Sequence, residues 1–314
     1  MSEHPLVSLW NREADRRRRL RRQVNLLRRL RPIQLPEASL VGTLWAYSAS
    51  VLYPAKALKS GGVNVVGPVV GDEPEALPQP GLGRRFSDET SGPVLLEETH
   101  ANYHLVEDFD RLAELYELCV RPFSTPIFDE ARAIMRRYLA RDSRVLDAGC
   151  GPGRELRRVA RLVPRGEVVG VDLAAGMVTV AHDAAHARGI DNCAFVQADV
   201  GDLPRTFTAA FDLVYSCLAH HHYPDRAAAA AGVLRCLRPG GVYCVIDPGP
   251  AWFNALSSPL GRFADPGWIG FSTPDEFRAL LAEAGFARVC WIPLLPGFGM
   301  AVGQKAFVAD ANAA

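Results

Sequence analysis

The run VLDAGCGPGRE at 145–155 is the part of the chain best suited to hold a small charged ligand. An apolar strand ends at Asp147, and Gly149, Gly151 and Gly153 then open into a helix. With no Cβ at those positions the backbone can approach a ligand closely and aim N–H groups at it. Two more acids end later apolar runs, Asp172 in EVVGVDLA and Asp199 in AFVQADVGDLP. Asp172 falls about 20 residues beyond the loop, where a carboxylate can take both hydroxyls of a ribose. Any one of these acids could be only a turn former or a helix cap. Three at successive strand ends converge on one crevice when the strands are parallel. A dinucleotide fingerprint starting at Gly149 would need glycine at 154, where Arg154 stands, so the spacing argues against a dinucleotide.

FDLVYSCLAHHHYPD supplies a second chemical feature, the triplet His220-His221-His222. A histidine near neutral pKa could take a proton from a nucleophile, although a structural or substrate-orienting role is the competing reading. Adjacent histidines point in different directions and no other ligand cluster accompanies them, so no metal site is expected. Asp247 ends a further apolar run beside the same crevice, where it could orient a substrate or cap the turn at Pro248. The segment 248–271, PGPAWFNALSSPLGRFADPGWIGF, reads as an irregular insert. Its Trp252, Phe253, Phe263, Trp268 and Phe271 could line an apolar pocket or form a small satellite core. Tyr103, with His104, is a candidate to complete the substrate side.

The elements that must position these residues alternate regularly. Strands are expected over 144–148, 167–172, 194–198, 211–216, 242–247, 287–294 and 299–307. Helices are expected over 109–120, 126–139, 154–163, 175–188, 225–237 and 274–284. This alternation predicts an α/β fold with a seven-stranded, mostly parallel sheet of Rossmann-like type, covered on both faces. Pro296-Gly297 joins the last two strands as a hairpin, which turns the last strand antiparallel. Thr273 and Glu276 form a capping box with Pro274 in the first turn of the helix at 274.

Upstream, residues 1–100 read as an accessory region and linker, and 101–314 as the catalytic domain. Residues 1–35 hold ten Arg against Glu3, Glu13 and Asp15, a balance of +7 in a chain of zero net charge. The remainder is therefore acidic, which disfavours nucleic acid as a general partner. Residues 9–30 carry Leu20, Val24 and Leu27 at helical spacing with Arg on the opposite face. That face is either solvated while the Leu stripe docks, or a peripheral contact for anionic lipid or an acidic partner. The uncharged run 38–55 contains Gly42, Ser48 and Pro54 and is expected to be a packing or lid helix rather than a span. Residues 72–98 read as a surface linker. Cys119, Cys150, Cys193, Cys217, Cys236, Cys244 and Cys290 are scattered without a C-x-x-C pair, as in a protein of a reducing, cytoplasmic compartment.

Taken in order, DAGCGPG, VDLAAGM, ADVGDLP, CLAHHHYPD and LRPGG resemble the class I S-adenosylmethionine-dependent methyltransferases, of the broad type that includes the ubiquinone and menaquinone C-methyltransferases. The resemblance runs over roughly 105–307. It implies S-adenosyl-L-methionine as cofactor and a small, partly hydrophobic acceptor, such as a quinone or a specialised metabolite. It also implies that Asp147 and the backbone at Gly149, Cys150, Gly151 and Gly153 meet the methionine end. Asp172 would hold the ribose, with Leu173 against the adenine; Asp199 and the Val200 N–H would read the adenine edge. Ser216 and Cys217 would face the methyl-bearing end. Two alternatives remain beside this one: a nucleic-acid or protein methyltransferase docking through the basic helix, and a non-methylating protein that keeps the cofactor pocket.

Overall fold

The computed structural model describes residues 70–71, 85–86, 92–95, 124–264 and 267–307. Tyr103, His104, the expected helices over 9–30 and 109–120, the run 38–55 and the boundary at residue 100 lie outside those residues, as does most of 72–98.

Among the described residues, eight strands form one sheet. They are β1 (Val70–Gly71), β2 (Arg144–Ala148), β3 (Glu167–Asp172), β4 (Cys193–Gln197), β5 (Phe211–Cys217), β6 (Leu237–Pro248), β7 (Arg288–Leu295) and β8 (Phe298–Gln304). Their order is β1-β7-β8-β6-β5-β2-β3-β4. β2 through β6 pair in parallel, whereas β8 runs antiparallel between β6 and β7. The expected seven strands with an antiparallel last strand are therefore present. The two-residue β1 adds an eighth at the β7 edge, and Val94 bridges Val196 at the other.

The central strands are buried along nearly their whole length, and alternate residues pack on opposite faces of the sheet. Val145, Leu213, Tyr215, Cys244 and Ile292 pack on one face beneath α1 (124–135), α2 (Arg154–Ala160) and α3 (Ala175–His186). From α1, Ile127, Ala131, Ile134 and Met135 supply the stripe that buries there. Leu146, Val214, Tyr243 and Val245 face the other way, under α4 (Arg226–Cys236) and α6 (Pro274–Glu283). The Asp225 side chain caps α4 through the Ala228 N–H, and α6 carries the expected capping box, with Thr273 and Glu276 exchanging bonds.

One expectation needs correction. The insert is not irregular throughout: Ala251–Ala264 forms a helix, α5, with Pro259 inside it. Pro250 opens this helix by accepting from the Phe253 and Asn254 N–H groups, so a residue that reads as a breaker serves as a start.

The strand order reverses beside β2, with β3 and β4 on one side and β5 and β6 on the other. Open parallel sheets bind ligands in the crevice at this reversal, outside the carboxyl ends of the strands. Asp147 and Tyr215, paired across β2 and β5, mark that position.

Candidate functional site

All three loop glycines have positive φ, +78° at Gly149, +49° at Gly151 and +67° at Gly153. Their surroundings separate them. A Cβ added at Gly149 would stand 2.6 Å from the Ala219 Cβ, and one at Gly153 would stand 2.8 Å from the Ala181 Cβ. Those two positions let neighbouring elements pack against the loop. At Gly151 an added Cβ would meet nothing within 4 Å, so this glycine faces open space.

The sequence suggested that the loop aims free N–H groups at a ligand, but the structure turns them inward. Gly149 and Cys150 both donate to the Val171 carbonyl at 2.9 Å, and Gly153 donates to the Cys150 carbonyl at 3.0 Å. Gly151 donates to Oδ2 of Asp172 at 2.8 Å, while Oδ1 of Asp172 accepts from the Ala174 N–H at 3.0 Å. The half-buried carboxylate expected to hold a ribose is thus anchored by backbone on both oxygens. Each carboxylate oxygen retains capacity for a further donor.

Asp147 is buried at 2% exposure, and its Oδ2 accepts the Tyr215 hydroxyl at 2.7 Å. Burial pushes its carboxyl well above the usual range; the Tyr215 bond opposes this, and the charges of Glu155 and Asp172 reinforce it. Glu155, on the first turn of α2, is itself buried and pairs with Arg132 of α1 and with Arg158. The same burial raises the Glu155 carboxyl, against the pull of Arg132. Asp199 is exposed, and its Oδ1 accepts from the Gly201 N–H at 2.7 Å, so it caps the short turn Val200–Asp202. Leu173 is half-buried, its carbonyl fixed by Gln197, and Val200 is buried beside Asp199.

These residues fit S-adenosyl-L-methionine. The crevice presents three acids and an open face at Gly151, while the loop N–H groups that a pyrophosphate would need are engaged within the protein. A cationic ligand with hydroxyls to donate suits that set; a polyanion does not.

Beyond β5, the Tyr223 hydroxyl donates to the Ala148 carbonyl at 2.7 Å and lies 2.9 Å from the Ser216 hydroxyl. Ser216, read from sequence as facing the ligand, is fully buried and directs its side chain into this brace; Cys217, one residue on, is half-buried against the opposite face. Cys150 and Cys217 both have their thiols pushed well up by burial and by nearby acids, so neither is an activated nucleophile. Leu218 then takes a positive φ of +52°, a costly conformation for a branched side chain, as its N–H reaches the Ile246 carbonyl. Strain of this kind gathers at functional sites.

The histidines form a single 3-10 turn and divide by environment. His220 is buried between Tyr223 and Phe277, and burial lowers its pKa well below the ordinary value, with Arg226 and His221 adding to the effect. It is His221 that meets Asp247, Nδ1 to Oδ1 at 2.7 Å, with the carboxylate fully buried. Against a carboxylate, Nδ1 carries the proton and the imidazole lone pair is left at Nε2. His222 is half-buried beside His221, their ring centroids 4.2 Å apart.

Of the insert residues, Phe271 packs edge-on against His221 at 5.2 Å and Trp268 against Phe271 at 5.4 Å. Arg226, which the sequence reading passed over, holds this strip by donating to Ser272 Oγ and to the Gly270 carbonyl. Trp252 and Phe253 gather instead at the β7–β8 turn, Phe253 against Phe298 and over Gly297, with Trp252 outermost and 60% exposed. Among the described residues no His, Cys, Asp and Glu cluster could hold a metal, and the cysteines are free thiols. No helix among them is long and apolar enough to cross a membrane.

Residues 145–241 match a family model described as a methyltransferase domain. The ubiquinone/menaquinone biosynthesis C-methyltransferase of Pseudomonas aeruginosa is 37% identical over 172 residues, which cover 48% of this chain and 67% of the relative. The malonyl-[acyl-carrier protein] O-methyltransferase of Dechloromonas aromatica is 32% identical over 176 residues, 53% of this chain and 63% of that one. The chain spans between half and two thirds of the length of several curated relatives. A solved SAM-dependent methyltransferase of Thermotoga maritima shares the fold, with a TM-score of 0.51 at 16% identity over 64% of this chain and all of the other.

Proposed function

The chain belongs to the class I S-adenosylmethionine-dependent methyltransferases, and we propose that it transfers a methyl group to a small, partly hydrophobic acceptor, a quinone-like ring or a specialised metabolite. The observation that carries this reading is the acidic crevice with its N–H groups turned inward, in a sheet whose β6 also carries, at its carboxyl end, the Asp247 that pairs with His221. Names of relatives that act on quinones support the acceptor class. When bound, the cofactor supplies an electrophilic methyl on a sulfonium.

The chain's own residues do the rest. Asp147, held by Tyr215, receives the ammonium end, and Asp172 receives the ribose. Gly151 leaves room for the ligand to lie against the loop. His221, fixed by Asp247, orients the acceptor and can take its proton at Nε2. Phe271, backed by Trp268, sets apolar surface against that histidine, which favours a flat, weakly polar acceptor and excludes water. Displacement at a methyl carbon requires an in-line nucleophile, so alignment by this wall should supply much of the rate.

Calorimetry tests the cofactor half of the reading. S-Adenosylmethionine or its demethylated product should bind at micromolar level, and Asp172→Ala should weaken binding by about 1.5–3 kcal/mol for each charge-assisted bond lost. Absence of binding, or a preference for NAD, would defeat it. The acceptor half is tested by mass detection of methylated products from hydroquinone, phenol, amine and peptide panels. Bound cofactor with no product from any panel would favour a non-methylating role.

A further inference from the structure

At the end of the sheet opposite the crevice, where β2 and β3 begin, the C-terminal ends of α1 and α2 converge on a cavity of about 340 Å³ lined by Arg136, Leu139, Arg141, Arg161, Leu162 and Pro164. Its wall is fixed by backbone: the Arg165 and Gly166 N–H groups donate to the Arg141 carbonyl at 2.9 and 3.1 Å. Among the described residues, three arginines and no carboxylate line this one space.

Two other arginines at this end of the sheet are neutralised by carboxylates. Arg144 pairs with Glu167 and Arg238 with Asp212. Among the described residues, no hydrogen bond or ion pair engages the side chains of Arg136, Arg141 or Arg161, all of which are exposed. Compensation of helix dipoles is the ordinary reason for arginine at a helix C-terminus. At the end of α3 it takes its ordinary form, with Arg188 Nη1 donating to the Ala184 carbonyl at 2.7 Å. The three cavity arginines make no such bond. Three like charges around one concavity repel one another unless an anion lies between them.

We propose that this cavity is a binding site for a phosphate monoester, with the phosphate among Arg136, Arg141 and Arg161 and the organic part against Leu139, Leu162 and Pro164. Guanidinium forks match phosphate oxygens bidentately, and the apolar floor gives the remainder of the ligand a surface. The site is remote from the methyl-transfer crevice and independent of it. Because Arg136 follows α1 and Arg161 follows α2, the ligand also ties the two helices together at the ends away from the glycine loop.

The test uses the full chain with phenyl phosphate as the calorimetric probe. A second arm uses inorganic phosphate, and a third co-sedimentation with vesicles of phosphatidylcholine with and without phosphatidic acid. Saturable phenyl phosphate binding is expected, weaker by about tenfold or more for each of Arg136→Gln, Arg141→Gln and Arg161→Gln, consistent with loss of a charge-assisted contact. S-Adenosylhomocysteine binding should stay unchanged in each variant, which shows that the fold is intact. Phenyl phosphate binding without phosphatidic acid binding identifies a soluble phosphate ester as the ligand. Vesicle binding that depends on phosphatidic acid and is lost in the triple variant identifies a lipid headgroup. No saturable binding in any arm, or binding that survives the triple variant, overturns the proposal.

Discussion

Replacing Gly149 and Gly151 separately with alanine distinguishes a glycine kept for packing from one kept for a ligand. Both have positive φ, so each substitution carries the left-handed cost of about 1–2 kcal/mol. They differ in what the new methyl meets. At 149 it would lie 2.6 Å from the Ala219 Cβ and 3.3 Å from the Tyr223 hydroxyl, so the backbone or the β5–α4 connection must shift. Overpacking of that kind costs about 1–3 kcal/mol more. Gly149→Ala should therefore lose about 2–5 kcal/mol of stability. Gly151→Ala should lose only the conformational part, because nothing lies within 4 Å of its new methyl. If that open space is where the cofactor lies, its affinity should nevertheless drop by about tenfold to a hundredfold, or about 1.4–2.8 kcal/mol. Denaturant unfolding without ligand and calorimetry with S-adenosylhomocysteine separate the two effects. Gly151→Ala protein that binds with wild-type affinity would show that the cofactor does not occupy this space. Gly149→Ala protein as stable as Gly151→Ala would show that contact with Ala219 is not what excludes a side chain there.

Further expectations rest on other parts of the crevice. Burial raises the Asp147 carboxyl, and a ligand ammonium against it favours the ionised form; affinity should rise with pH through the raised value, then level, with a proton released on binding. By the same sign, Asp147 makes the unliganded fold lose stability as pH rises through that folded value, and Asp147→Asn should abolish both effects in calorimetry and thermal unfolding. Tyr223→Phe strips the Ala148 carbonyl and the Ser216 hydroxyl of a buried partner and should cost about 1–3 kcal/mol by denaturant unfolding; an unchanged midpoint would contradict the brace. His221→Gln and His221→Ala should reduce single-turnover methyl transfer by about 10²–10⁴-fold with cofactor affinity nearly intact, whereas equal rates in variant and wild type would retire the dyad.

Much of this site was legible because residue type and position coincide there. An apolar run that ends in an acid, three times in succession, specifies strand ends in a parallel sheet, and Asp147, Asp172 and Asp199 stand at or just past the carboxyl ends of β2, β3 and β4. What sequence could not convey was conformation. The three glycines announce backbone freedom, but not that their φ values fold the loop N–H groups back onto Val171 and Asp172. Strand alternation could have shown that Ser216 and Cys217 face opposite ways; which of them turns toward Tyr223 depends on where α4 packs. Nor does the triplet reveal which histidine reaches Asp247, since that depends on a 3-10 turn closing after the strained Leu218. The segment 248–271 reads as irregular because proline at 248, 250 and 259 hides the helical pattern, although Pro250 opens the helix.

The inward turn of the loop bears on ligand choice more than the glycine pattern does. A Gly-rich loop at a helix start is shared by folds that bind pyrophosphate and folds that bind a sulfonium, so the motif alone does not set the sign of the ligand. Here the N–H groups of Gly149, Cys150, Gly151 and Gly153 are all engaged inside the protein, and Pro152 has none. Among the described residues, the charges left at the crevice are carboxylates, with the nearby Arg132 already paired to Glu155 and Arg154 turned to Thr125. Two unit charges about 4 Å apart at a protein surface interact by about 4 kcal/mol, several times the net worth of one hydrogen bond. Exchanging a cation for a dianion reverses that contribution at each carboxylate. One extra backbone bond cannot compensate, so the crevice selects by charge before it selects by shape.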